Sequence, residues 1–503
     1  MTGVATAGVP VRRRAAAATF VGHAATVTLT VLQAFFLLPL SLSVLGAPVL
    51  GAWLAASEVL VWIQLLDLGI PHLLAQRVAA AAGEQDFDRA AGWSATGMAL
   101  LAGVALLLAL VGMLGAPLVV SWIGVPDAHR AEFGRAFALA VVASALILVF
   151  NGLQGVARGV QRPALMQSAQ VGGVAVGLVT SIVLLWNGWG ILALAVGLLT
   201  RAAVSVAGAL IFLSSLPGRW RWVGRPARHY LRETRQFGGA MALGSSAHVL
   251  AQNTEVLIVA IIFGPVPAAV YGLTRRAIDG VRNLLDGFVL AIPPGLAHLI
   301  GARDRERASS LAVEALWLHL AAACVSAAIV VAVNSAFVSL LFEPSSFGGT
   351  WLTCAFAVQL ILSSRTLLLN SLLRATGDIA LSGRLMFLES VGRVFAVPAG
   401  LLTAGLAGAP WAGAAVSAGV SLLSQRRLFA ALPGDHQSPH ERWSGAVPVV
   451  FLLAAAAGTL FWTPRTWGEL ALTALGVSVC GAGVLWPALP AAFRPAWNRA
   501  IVR

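Results

Sequence analysis

Charged side chains in a strongly apolar chain mark the places where chemistry is worth seeking. The stretch Tyr271-Gly-Leu-Thr-Arg275-Arg276-Ala-Ile-Asp279-Gly-Val-Arg282-Asn283-Leu-Leu-Asp286 puts five charges into twelve residues. Arg275, Asp279, Arg282 and Asp286 follow i, i+4, i+7, i+11 spacing, which makes one stripe on a helix. A charge near a bilayer centre costs about 2.5–3.5 kcal/mol on insertion scales, so such a stripe faces protein or water rather than lipid. Guanidinium groups suit anions: their planar fork pairs bidentately with phosphate oxygens and keeps its charge when partly desolvated. The same residues also read as an internal ladder, Arg275–Asp279, Asp279–Arg282 and Arg282–Asp286, with one positive charge left over.

Other polar residues interrupt the apolar segments. Arg201 and Arg365 lie mid-segment with no acid three or four residues away on the same helix. With Arg275, Arg276 and Arg282 they are expected to form a cationic surface open to the cytoplasm. Arg393 follows Glu389 by four residues, a spacing that lets the pair neutralise itself. His23, Thr26, Thr30 and Gln33 form a stripe on the first apolar segment. Ser245, His248, Gln252 and Glu255 form one at the same spacing on the seventh. Gln359, Ser363, Thr366 and Asn370 run along the tenth. The first two stripes are read as lining a central cavity, with Gln33 and Gln252 as ligand contacts; hydrogen bonding between helices is the alternative. Glu58, Glu255 and Asp279 are the candidates for ion coupling or charge pairing, and Glu58 is expected to meet an arginine across the cavity. Asp67 is read as structural. Cys324, Cys354 and Cys480 all fall in apolar segments and suggest neither disulfide nor metal, and no cofactor is expected.

The elements that must position these residues are transmembrane helices. The chain is 58% hydrophobic and 11% charged over 503 residues, and apolar stretches of membrane-spanning length recur throughout. The fold class is therefore all-α and polytopic, since spanning helices satisfy their own backbone hydrogen bonds. The expected spans are 17–40, 49–74, 91–115, 136–157, 164–186, 189–213, 239–263, 272–300, 310–333, 351–373, 385–405, 411–431, 446–462 and 468–489. Every basic residue is Arg, and the net charge of +13 is explained by short basic loops without invoking nucleic acid. With both termini cytoplasmic, only Arg130, Arg135 and Arg465 fall outside, and six lie within spans; the other 24 sit inside, as the positive-inside rule requires. Arg12-Arg13-Arg14 before a long apolar run reads as a retained first span rather than a signal peptide. The outside loops are too short for a catalytic domain, and a chain without Lys has no P-loop.

The spans fall into two copies. Leu45-Gly46-Ala-Pro-Val-Leu-Gly-Ala-Trp53 resembles Phe263-Gly264-Pro-Val-Pro-Ala-Ala-Val-Tyr271, and at the same offset Asp86-Phe-Asp-Arg89 lines up with Asp304-Arg-Glu-Arg307. Asn151 is aligned with Asn370, and Gly159 with Gly377. Six spans per copy make the repeat parallel, related by an axis along the membrane normal. The expected domains are a six-helix lobe at 1–213, a basic cytoplasmic linker at 214–238, a second six-helix lobe at 239–431, and two additional helices with a tail at 432–503. Position for position, Ser57 and Glu58 stand in the first copy where Arg275 and Arg276 stand in the second.

At these residues the chain resembles the polysaccharide and lipid-linked oligosaccharide flippases of the multidrug/oligosaccharidyl-lipid/polysaccharide (MOP) transporter superfamily. The resemblance rests on Val44–Trp53 leading into Leu65-Leu-Asp67-Leu-Gly69-Ile, and on Asn253-Thr-Glu255 followed by Phe263-Gly264 and Tyr271. Asn370-Ser-Leu-Leu-Arg-Ala-Thr-Gly377-Asp378 adds a third motif. It implies two six-helix lobes around a cavity, with the last two helices forming a groove for a lipid tail. It further implies a transporter rather than an enzyme, in a bacterial cytoplasmic membrane, carrying an undecaprenyl-pyrophosphate-linked glycan to the outer leaflet by alternating access. A polysaccharide polymerase and glycosyltransferases are the implied partners. Glu255 departs from the residues that family members use in the seventh span, which bears on the coupling ion. A multidrug exporter of the same superfamily is the second reading, and a membrane glycosyltransferase or ligase the third.

Overall fold

A computed structural model describes residues 9–65, 69–215, 230–231, 253–432, 446–459 and 461–486. Among them the chain is helical and without strands. In chain order the helices are α1 (Val9–Leu65), α2 (Ile70–Gly83), α3 (Phe87–Ile123), α4 (Arg130–Gly159), α5 (Ala164–Trp186), α6 (Leu192–Ser214), α7 (Glu255–Phe263) and α8 (Pro265–Thr274). They continue as α9 (Arg276–Ala291), α10 (Pro293–Gly301), α11 (Arg305–Leu341), α12 (Thr350–Ala375), α13 (Ile379–Ala404), α14 (Gly408–Ala431), α15 (Ala446–Gly458) and α16 (Trp467–Leu485). This is an all-α polytopic membrane protein.

Among the described residues nine helical segments are long and apolar enough to cross a membrane, against the fourteen spans expected. Most of the expected seventh span lies outside the described residues, and the thirteenth is the shorter apolar helix Ala446–Gly458; the rest of the difference has local causes. The first two expected spans run together in α1, which breaks at Gly46 (φ 73°, ψ 165°). The eleventh and twelfth join through a short turn, giving one stretch from Ile379 to Ala431. The expected eighth span is not one helix: Arg275 separates α8 from α9, and Ile292 separates α9 from α10 just before Pro293-Pro294. Proline lacks the amide that would continue the ladder.

Contacts divide the chain into two compact units, Met1–Ala269 and Val270–Arg503. In the first, Ile70, Leu74, Val78, Ala90, Leu101, Leu153, Val156 and Phe212 build an apolar core from α2, α3, α4 and α6. In the second, Val289, Leu296, Ala308, Leu369, Leu372 and Leu428 build the corresponding core from α9–α12 and α14. α15 and α16 pack on α11 through Leu452 and Leu485. Leu114 is 81% exposed and Leu472 70%, apolar surface that suits acyl chains rather than water.

The repeat is written into the backbone. Gly264 (φ 88°, ψ 177°) breaks the chain between α7 and α8 as Gly46 breaks α1, in a region that a Cβ would strain. Asp86 accepts a hydrogen bond from the Arg89 amide, and Asp304 one from the Arg307 amide, each capping a helix of 37 residues. The residues before these caps, Gln85 and Arg303, both have φ of 60°. These pairs share one register. Later helices shift by two residues, and this corrects the alignment of Asn151 with Asn370 and of Gly159 with Gly377. Gly377 (φ 98°) matches Gln161 (φ 57°), since each follows the residue capping its helix. In that register Asn370 matches Gln154 and Arg374 matches Arg158.

Candidate functional site

The charged stripe keeps its geometry across the α8–α9 break. Arg275 remains right-handed (φ −73°, ψ −17°), its amide donates to Tyr271 O, and its carbonyl accepts from the Asp279 amide. Arg275 is buried, and its Nε donates to Asp279 Oδ1 at 2.9 Å. Arg282 Nη1 lies 4.0 Å from the same oxygen, and Arg276 adds a third positive charge around that carboxylate. The Asp279 side chain is 31% exposed against 6% for Arg275, so the open side of the cluster is at the acid. Arg275 and Arg282 thus make two rungs of the expected ladder on Asp279, and the Arg276 charge also acts on that carboxylate.

A polar clasp fixes this junction in the second unit. Fully buried Asn334 of α11 donates through Nδ2 to Thr274 O and to Thr353 Oγ1, both at 3.0 Å. The Gly348 amide donates to Thr274 Oγ1 at 2.9 Å. Tyr271 packs edge-on against Phe356, with ring centroids 4.9 Å apart. Sequence reasoning missed Asn334, Thr274 and Thr353. The one available signal was an amide at the end of the expected ninth span, among apolar residues.

In the first unit, Glu58 reaches the first turn of α7, the helix that Glu255 begins. Glu58 is buried, and its Oε2 accepts from the Leu257 amide at 2.9 Å, satisfying a donor that the first turn leaves open. The favourable helix dipole adds to this bond. This bond joins two positions 199 residues apart in the chain. Four residues on, Trp62 Nε1 donates to Asn253 O at 2.8 Å, so α1 holds the α7 entry at two points. Glu255 is the buried first residue of α7.

The remaining candidates are dispersed. Arg201 is half-buried on α6, with no ion pair or hydrogen bond to its side chain among the described residues, and Gln33 is half-buried on α1. Arg365, on α12 of the second unit, donates through Nη2 to Gln425 Oε1 at 3.1 Å. Ser245, His248 and Gln252 lie outside the described residues, as do Asp67 and the side chain of His23. Glu389 and Arg393 do pair: Ser417 Oγ donates to Glu389 Oε1 at 2.6 Å and accepts from Arg393 Nη2 at 2.8 Å, with all three buried. No group of residues suited to a metal is present among the described residues. Of the five arginines expected on one surface, Arg275, Arg276 and Arg282 are brought together around Asp279.

Solved structures share this arrangement of helices. One, described as an inward-facing conformation of a multidrug resistance MATE family transporter of the MOP superfamily, matches with a TM-score of 0.66 at 16% identity, covering 80% of this chain and 95% of that one. This is the fold of the MOP superfamily. Its outward-facing counterpart matches with a TM-score of 0.62 at 15% identity, over 84% and 96% of the two chains. A MOP superfamily transporter from Pyrococcus furiosus, described as having a binding pocket of reversed polarity, matches at 0.61 and 16% identity over 84% and 96%. A family model described as "Polysaccharide biosynthesis protein" matches residues 65–299. No curated protein matches the sequence. The resemblance read from Val44–Gly69 and Asn253–Tyr271 to the flippase-type families of the MOP superfamily stands.

Proposed function

We propose that this chain is a MOP-fold flippase that carries a lipid-linked glycan, with an undecaprenyl pyrophosphate anchor, from the cytoplasmic to the outer leaflet by alternating access. The reading rests on the MOP fold, the polysaccharide-biosynthesis match over residues 65–299, and above all the Arg275–Arg276–Asp279–Arg282 cluster. Three guanidinium groups against the two carboxylates of the stripe, Asp279 and Asp286, leave one positive charge over in an apolar unit, and a pyrophosphate would compensate it by charge-assisted, bidentate hydrogen bonds. Arg276 is the cluster member assigned to the phosphates, Asp279 the internal counter-charge that they displace. Arg201 is the first unit's candidate for the same anionic cargo, and Gln33 and Gln252 for its hydroxyls. The membrane is bacterial and cytoplasmic, with both termini on the cytoplasmic side.

The test is translocation of a lipid-linked oligosaccharide in proteoliposomes of purified protein. Wild type should move the glycan, and Arg276→Ala should abolish movement while inserting normally. Unchanged polysaccharide output from an Arg276→Ala strain would remove the assignment. A multidrug exporter is the second reading, favoured by the MATE structures that share the fold. Cationic-drug efflux without glycan movement would establish it instead.

A further inference from the structure

The second unit contains a polar cluster that the cargo reading does not use. His319 of α11 is 1% exposed, and both its ring nitrogens are buried with no hydrogen-bond partner among the described residues. Its ring lies 5.9 Å from that of Phe288 on α9. Arg365 of α12 is close enough for its charge to act on the imidazole. Gln425 of α14 accepts from Arg365, and no carboxylate pairs with Arg365 among the described residues. A guanidinium in mid-membrane with one neutral acceptor is under-compensated. A neutral imidazole has one N–H donor and one acceptor to satisfy, so this one too has an open donor.

The repeat supplies an internal control. In the registers set by the shared helix caps, Phe288, His319, Arg365 and Gln425 correspond to Ile70, Leu101, Val149 and Ala209. Those four residues belong to one hydrophobic cluster in the first unit. The correspondence shows that in the first unit these positions belong to an apolar core, so the fold can be packed there without any polar group. The His–Arg–Gln set is therefore not a requirement of the bundle.

We infer that His319, Arg365 and Gln425 form a binding site for a small monovalent anion of halide size inside the second helical unit. The guanidinium supplies the charge, His319 donates its ring N–H, and Gln425 holds Arg365 by its amide oxygen while its own amide N–H₂ provides a further donor. Water at the same place would satisfy the imidazole but leave the Arg365 charge unbalanced. Complete burial of His319 favours an anion far smaller than a lipid-linked pyrophosphate, so the site is separate from the cargo site.

The test uses the purified full chain in detergent, with thermal unfolding followed as bromide replaces gluconate at constant ionic strength. Wild type should show a saturating rise in midpoint, because a ligand bound only by the folded state stabilises it by mass action. The double variant His319→Leu, Arg365→Val installs the first unit's own residues. It should unfold at least as high as wild type in gluconate and show no bromide dependence. A flat wild-type response, or an equal rise in both proteins, would overturn the site, the latter as a general salt effect. Should the variant not fold, anomalous diffraction from bromide-soaked wild-type crystals decides: a peak beside Arg365 supports the site, and its absence refutes it. None of these readouts involves glycan movement, so the site can fail while the flippase reading stands, and the reverse.

Discussion

The two repeats use one scaffold for two different interiors. Val78, Ala90, Leu153, Val156 and Phe212 in the first unit have counterparts Leu296, Ala308, Leu369, Leu372 and Leu428 in the second, apolar in both. Beyond this shared core the copies part. Leu101, Val149 and Ala209 continue the apolar cluster, where the second copy has His319, Arg365 and Gln425. By the caps of α5 and α13, buried Val174 and its neighbour Leu178 stand where the second copy has the Glu389–Arg393 pair. Glu58 of the first copy caps a helix, and its counterpart Arg276 joins a cationic cluster. At these positions apolar packing suffices in the first copy; the polar substitutions in the second are additions there, and additions of this cost point to ligands or to switching.

That contrast can be broken at four places. The largest effect is expected at Arg393. Replacing it with Leu alone strands Glu389 in the core and should destabilise the protein by about 3–5 kcal/mol. Adding Glu389→Val, so that both positions carry the first copy's residues, should recover most of the loss in thermal unfolding. If the double variant is as unstable as the single one, the two interiors are not interchangeable. Next is Asn334→Ala, which leaves Thr274 O and Thr353 Oγ1 short of a buried donor and should cost about 1–3 kcal/mol. It should also raise proteolysis near Arg275, because the clasp that fixes the α8–α9 break is gone. Glu58→Ala removes the carboxylate that holds the α7 entry and should cost about 1 kcal/mol, with faster amide exchange confined to the first turn of α7. The smallest and most even pair is Asp86→Ala and Asp304→Ala. Both lose the same cap in the same geometry, about 1 kcal/mol each or less, and unequal losses would show that the caps sit in different surroundings.

How much of this could be read from the chain depends on the range of the interaction. Asp86 and Asp304 cap helices three residues ahead, Gly46 and Gly264 break them on the spot, and Glu389 meets Arg393 one turn away. The Glu389–Arg393 pair was read from its spacing, while the aspartates and glycines were visible as repeated residues and not as caps or breaks. Arg275 and Arg282 found Asp279 at i+4 and i−3, as the stripe required. The bond from the Leu257 amide to Glu58 was not legible, because a carboxylate's own sequence neighbourhood says nothing about which distant backbone amide it will reach. Asn334 and His319 passed unnoticed because a single polar residue in an apolar span has many bland explanations until its neighbours are known. The alignment of Asn151 with Asn370 failed for a related reason: identity of residue type is weaker evidence of register than the left-handed turn shared by Gln161 and Gly377.

The all-α membrane class, the repeated pattern and the places where charges cluster were legible in the order of the residues. Those properties follow from hydropathy, helical period and local capping, which act over a few residues at a time. Only the tertiary structure decided that α1 and α7 are joined through Glu58 and Trp62, and that a clasp from α11 and α12 fixes the α8–α9 break. It also decided that Arg365 of α12 bonds Gln425 of α14, and that His319 of α11 is buried with both ring nitrogens unpartnered among the described residues. Such pairings are set by how helices pack, and burial then makes every unsatisfied polar group find whatever partner the packing brings near.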